Sequence, residues 1–131
     1  MPIDVTWYDA EQSVLRWAYH GAWTWSEYNT ARAQARQLTQ DAARTHVDIL
    51  ADFRDSRLLP ANALSNFRMS ANDSDYQFSL AVIIAESLWM ETMVSALNRL
   101  YPTLGKKVQL ARTLEDGIKL IQAHRAKSAG R

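Results

Sequence analysis

The sequence predicts a single α/β domain with a five-stranded, mixed but mostly parallel sheet and about four helices. Three observations carry this. Two short aromatic and β-branched runs open the chain, strand-like and helix-like segments then alternate, and one later run, Phe78 to Ala85, is nearly all apolar. Alternation of strands and helices calls for parallel strands joined by right-handed crossovers. An unbroken apolar run marks a central strand covered on both faces.

Taken in order, residues 4–8 and 13–19 are rich in Val, Trp, Tyr and Leu, and the short polar Asp9-Ala10-Glu11-Gln12 separates them. They predict an N-terminal β-hairpin. In its second strand Leu15, Trp17 and Tyr19 share one face and Val14, Arg16 and Ala18 the other, the period of two expected of a strand. Gly21 is expected to break it.

Thr24 and Glu27 fit a capping box, in which the Thr oxygen takes an orphan amide and the Glu reaches back. A helix over residues 25–40 follows, with Trp25, Tyr28, Ala31, Ala35 and Leu38 as its buried stripe. Residues 46–53 alternate and predict the third strand. Pro60 suits the first turn of a helix over 60–71, and Asn72-Asp73-Ser74-Asp75 reads as the polar loop that ends it. After the apolar strand 78–85, a helix over 88–101 places Met90, Met93, Val94, Leu97, Leu100 and Tyr101 at spacings of three and four, with Pro102 and Gly105 closing it. Lys107 to Ala111 is a short strand. Thr113, with Asp116 three residues on, caps a last helix that turns Leu114, Ile118 and Ile121 inward, its acidic start and basic end matching the helix dipole. The ordered domain is expected over residues 1–125, with 126–131 a flexible tail.

Composition excludes several function classes. Fifteen basic against fourteen acidic residues leave a net charge of +1, so no overall field selects nucleic acid or an anionic surface. The chain has no cysteine, which removes disulfides, thiolate nucleophiles and cysteine metal sites, and suits the cytoplasm. No run approaches the apolar length of a membrane span, and the opening Met1-Pro2-Ile3-Asp4 has none of the marks of a signal peptide. His20, His46 and His124 lie in different elements without metal-ligand spacing. Asp73 and Asp75 lack the glycine and closing Glu of a calcium loop. Gly105-Lys106-Lys107 lacks the rest of a phosphate loop. No cofactor is expected.

The order ββαβαβαβα, with a hydrophobic central strand and a final strand and capped helix, resembles the STAS domain of sulfate transporters and anti-sigma-factor antagonists, the SpoIIAA-like fold. The lipid-carrying Sec14 class shares the same general winding. The resemblance spans about residues 3–124. Its more specific part is Asp48 to Leu59, because antagonists of this family place an aspartate in the third strand and a phosphorylatable serine loop before the next helix. Asp52 and the run Asp55-Ser56-Arg57-Leu58 occupy comparable places. Arg57 and Leu58 stand where the family has Ser and Gly, so the expectation is against regulated phosphorylation of Ser56.

The carboxyl ends of parallel strands form the usual ligand crevice, and here they would carry His20, Arg54, Asp55, Ser56, Glu86, Ser87 and Arg112. No Gly-x-Ser-x-Gly elbow positions a serine, so a hydrolase using Ser56 or Ser87 with His20 ranks last and the protein is not expected to be an enzyme. The leading expectation is a regulator of bacterial type that binds a protein partner through an exposed loop of Arg54, Asp55, Ser56, Arg57, Leu58 and Leu59. That loop is expected beside the N-terminus of a helix begun by Pro60, with one of the two leucines left as an apolar anchor. The alternative is a carrier for a small apolar ligand or lipid, suggested by five tryptophans and by Trp89, Met90 and Met93. A homodimer is left open.

Overall fold

The computed structural model describes residues 2–72 and 78–129. Among these residues the elements run β1 (Ile3–Trp7), β2 (Val14–Ala22), α1 (Trp25–Asp41), β3 (Asp48–Leu58), α2 (Ala63–Asn72), β4 (Ala81–Ile84), α3 (Leu88–Leu100), α4 (Pro102–Gly105), β5 (Val108–Ala111) and α5 (Leu114–Ala129). The five strands form one sheet in the order β1-β2-β3-β4-β5. β1 pairs antiparallel with β2, and every later pairing is parallel.

The hairpin turn is held by one carboxylate. Asp9 accepts hydrogen bonds from the backbone amides of Ser13 at 2.9 Å and Val14 at 3.0 Å, and from the Ser13 hydroxyl. Partial burial works against the charged form of Asp9, and these hydrogen bonds outweigh it, so its pKa is lowered. At the start of α1 the capping box is complete: Thr24 Oγ1 accepts from the Glu27 amide at 3.2 Å, and Glu27 Oε1 accepts from the Thr24 amide at 3.0 Å.

Alternation along β2 divides the sheet into two faces. On one, Leu15, Trp17 and Tyr19 join Ile3, Val5 and Phe53 beneath Tyr28, Ala31 and Ala35 of α1 and Met90 and Met93 of α3. On the other, Val14, Leu50, Val82, Ile84 and Ala111 pack against Ile121 of α5. β4 lies between β3 and β5, and Val82 and Ile84 are fully buried, as its apolar run predicts. Gly117 lets α5 approach closely: a Cβ there would stand 3.2 Å from Leu50 Cδ2 and 3.4 Å from both Ile84 Cδ1 and Val82 Cγ1.

Most tryptophans serve the core. Trp17 and Trp23 are buried, and Trp7 and Trp25 pack against the same core cluster. Trp23 meets Trp25 edge to face at 5.2 Å, and Tyr19 stacks on Phe53 at 4.1 Å. Two of the indole N–H groups find acceptors: Trp23 Nε1 donates to Ser56 Oγ at 3.1 Å and Trp25 Nε1 to the Ala61 carbonyl at 2.8 Å. That of Trp17 is buried with no acceptor among the described residues. Trp89 is the exception, 59% exposed.

Several boundaries differ from the sequence expectation. β2 does not stop at Gly21. It continues to Ala22, with Gly21 at φ +60°, a conformation open to glycine without strain. The register shifts between Ala18 and His20 and again between Gly21 and Ala22, so a bulge absorbs the mismatch and β3 runs on to Leu58. α2 therefore starts at Ala63, later than Pro60. The apolar run 78–85 contributes only Ala81–Ile84 to the ladder, although Phe78 and Leu80 are buried beside it. A short helix, α4, follows α3. α5 runs through Ala129, past the expected end of the ordered domain at residue 125. Asp73, Ser74 and Asp75 of the expected polar loop lie outside the described residues.

Candidate functional site

The carboxyl ends of β2, β3 and β4 bring together most of the residues expected there. The segment Arg54 to Leu58 is β-strand, with Asp55 opposite His20, Ser56 opposite Gly21 and Leu58 opposite Ala22. The exposed loop expected at Arg54, Asp55, Ser56, Arg57, Leu58 and Leu59 is thus corrected to the last stretch of a strand and the residue after it. The reason is the bulge, which lets pairing with β2 continue. The next helix starts at Ala63 and not at Pro60, and the N-terminus of α3, capped by Ser87, stands across the cleft described below.

Two hollows flank Arg54 and Glu86, which line both. The larger is a cleft of about 650 Å³ between the end of β3 and the first turn of α3. Its apolar lining comes from Phe53, Leu59, Ala85, Trp89 and Met90, and its polar lining from Arg54, Ser56, Arg57, Glu86 and Ser87. Ser87 is the N-cap of α3, its hydroxyl accepting from the Met90 amide at 3.1 Å. Leu59 is half-buried and packs against the core, whereas Arg57 is exposed. The Leu58 side chain lies outside the described residues.

The smaller hollow, about 390 Å³, opens on the α5 side of the sheet where α5 does not reach. Its floor is a charge cluster. Asp52, 5% exposed, accepts from Arg16 Nη2 at 2.8 Å and from Arg54 Nε at 2.9 Å and Nη2 at 2.8 Å. Burial alone would raise the Asp52 pKa, but the hydrogen bonds from Arg54 and Arg16 reverse this and hold it far below the usual carboxylate range. The same pairing raises Arg54. Above the cluster, His20 Nδ1 lies 3.3 Å from Asp55 and Nε2 3.5 Å from Asp4.

The serines considered for hydrolysis have other work. Ser56 Oγ takes the Trp23 indole N–H, and Ser87 Oγ caps α3. Arg112 reaches Glu91 at 3.6 Å and lines neither hollow. Sequence reasoning named Trp89 and Met90 for an apolar pocket, and both line the cleft, but it did not single out Arg16 at this edge. The signal for Arg16 is a charged residue in the middle of a strand pattern, facing the side where Asp52 also falls. Among the described residues, no group of three or more His, Asp or Glu side chains is arranged to hold a metal ion, and no helix is long and apolar enough to cross a membrane.

No protein-family model and no curated protein matches the chain. Among solved structures, an uncharacterised protein of the DUF3478 family with a SpoIIAA-like fold, from Shewanella loihica PV-4, superimposes with a TM-score of 0.68 at 13% identity. The match covers 90% of this chain and 92% of the other. At that identity the likeness speaks for the fold, and the fold is SpoIIAA-like, that of the STAS domains.

Proposed function

We propose that this chain is a non-catalytic binding domain that holds an apolar small molecule in the cleft between the end of β3 and the first turn of α3. The observation that carries this is the cleft itself: a concave hollow of about 650 Å³, lined mainly by Phe53, Leu59, Ala85, Trp89 and Met90. Ligand sites are concave, mostly apolar, edged by a few polar groups and of about 300–1,000 Å³. A protein contact is the second reading. Leu88 and Trp89, 76% and 59% exposed at the start of α3, favour it, since exposed apolar side chains at a rim suit a partner surface.

The test is titration with N-phenylnaphthylamine, a neutral apolar dye whose emission rises on leaving water, beside native mass spectrometry of freshly purified protein. Wild type is expected to bind the dye saturably. Leu59→Trp, at a half-buried position of the lining and with folding checked by circular dichroism, should fill the cleft and weaken binding by about ten-fold or more. Absence of saturable binding, or equal binding by the variant, overturns the reading.

A further inference from the structure

We infer that the molecule held in this cleft is a monocarboxylate with an apolar body, its carboxylate seated at Arg57 and the start of α3. The inference rests on the cleft reading above and adds the chemistry of the ligand's polar end.

The charges around the cleft decide that chemistry. The other arginines near the strand ends are committed: Arg16 and Arg54 to Asp52, and Arg112 to Glu91. Arg57 lines the cleft, is exposed, and makes no hydrogen bond or ion pair among the described residues. A guanidinium presents a planar fork of donors that matches a carboxylate with two parallel hydrogen bonds. Across the cleft stands the first turn of α3. Ser87 Oγ takes the Met90 amide, while Leu88 and Trp89 carry amides of the kind that no α-helix satisfies internally. The positive end of the helix dipole adds to Arg57.

Glu86 sets the limit on charge. It lines the same cleft and carries a negative charge, and Arg54, the other cation there, already answers Asp52. One guanidinium without a partner among the described residues, in the same lining as one glutamate, accommodates a single negative charge and opposes a second, which favours a carboxylate over a phosphate dianion. The apolar body then lies along Phe53, Ala85 and Met90, where burial of each further methylene adds affinity.

The experiment compares three ligands with one ten-carbon tail: decanoate, decanol and decylamine, each below its micelle concentration and read by displacement of N-phenylnaphthylamine. Decanoate should bind about ten-fold more tightly than decanol, the size of one charge-assisted contact, with decylamine weakest. Arg57→Gln should remove the preference, bringing decanoate down to the level of decanol. Glu86→Gln should tighten decanoate a few-fold. Circular dichroism checks that both variants fold. Equal affinity for decanoate and decanol, or indifference of decanoate to Arg57→Gln, overturns the carboxylate and leaves the apolar cleft standing. Failure of all three ligands to bind overturns both.

Discussion

Replacing Asp52 by Asn tests the charge cluster beneath the smaller hollow. The carboxylate is almost wholly buried and receives three side-chain hydrogen bonds from Arg16 and Arg54, with the Arg54 amide adding a fourth at 3.2 Å. An Asn amide keeps the shape but removes the charge and turns an N–H₂ donor toward a guanidinium. Truncating one side of a buried ion pair costs about 3–5 kcal/mol. Here the Arg16 and Arg54 side chains keep 35% and 38% of their surface in water, so both can be rehydrated, and the expected loss is about 2–3 kcal/mol. Urea titration followed by circular dichroism should show a midpoint lowered by roughly 1–2 M at unchanged slope.

The pH dependence has a definite sign. The folded pKa of Asp52 is depressed, so its contribution is fully present above the unfolded value of about 4 and is lost as pH falls from there toward the folded value. The gap between wild type and Asp52→Asn should therefore be flat near neutrality and narrow below about pH 4. A gap under about 0.5 kcal/mol at neutral pH, where surface ion pairs fall, or a gap that widens on acidification, would refute the account.

Two further outcomes concern packing. Leu97 is 6% exposed in the cluster that α3 forms with β5, so Leu97→Ala should cost about 2–5 kcal/mol. A loss below about 1 kcal/mol in urea would mean that the site collapses around the missing atoms. Gly117→Val would drive a branched side chain into Leu50, Val82 and Ile84 and should cost about 1–3 kcal/mol. Unchanged thermal stability would show that α5 can lift from the sheet without penalty.

The sequence by itself determined the fold class, the order of elements and the ends of several helices. Those signals are local. The Thr24 and Glu27 cap, the Thr113 oxygen on the Asp116 amide, and the two faces of β2 each depend on residues a few positions apart, whose spacing is set by helix or strand geometry. The apolar run around Val82 likewise announced an interior strand, because only burial on both faces accommodates it. The candidate site was legible only as a list of residues at the strand ends. Whether Arg54 to Leu58 forms a loop or a strand depends on the slip between β2 and β3 at Ala18 and His20, and no local pattern records how two distant strands register. The clamp on Asp52 is completed by Arg16, 36 positions away in the chain. The cleft is a concavity between the end of β3 and the start of α3. That concavity, with Trp89 exposed and Arg57 in its lining, exists only once the crossover through α2 and β4 has set those two ends side by side.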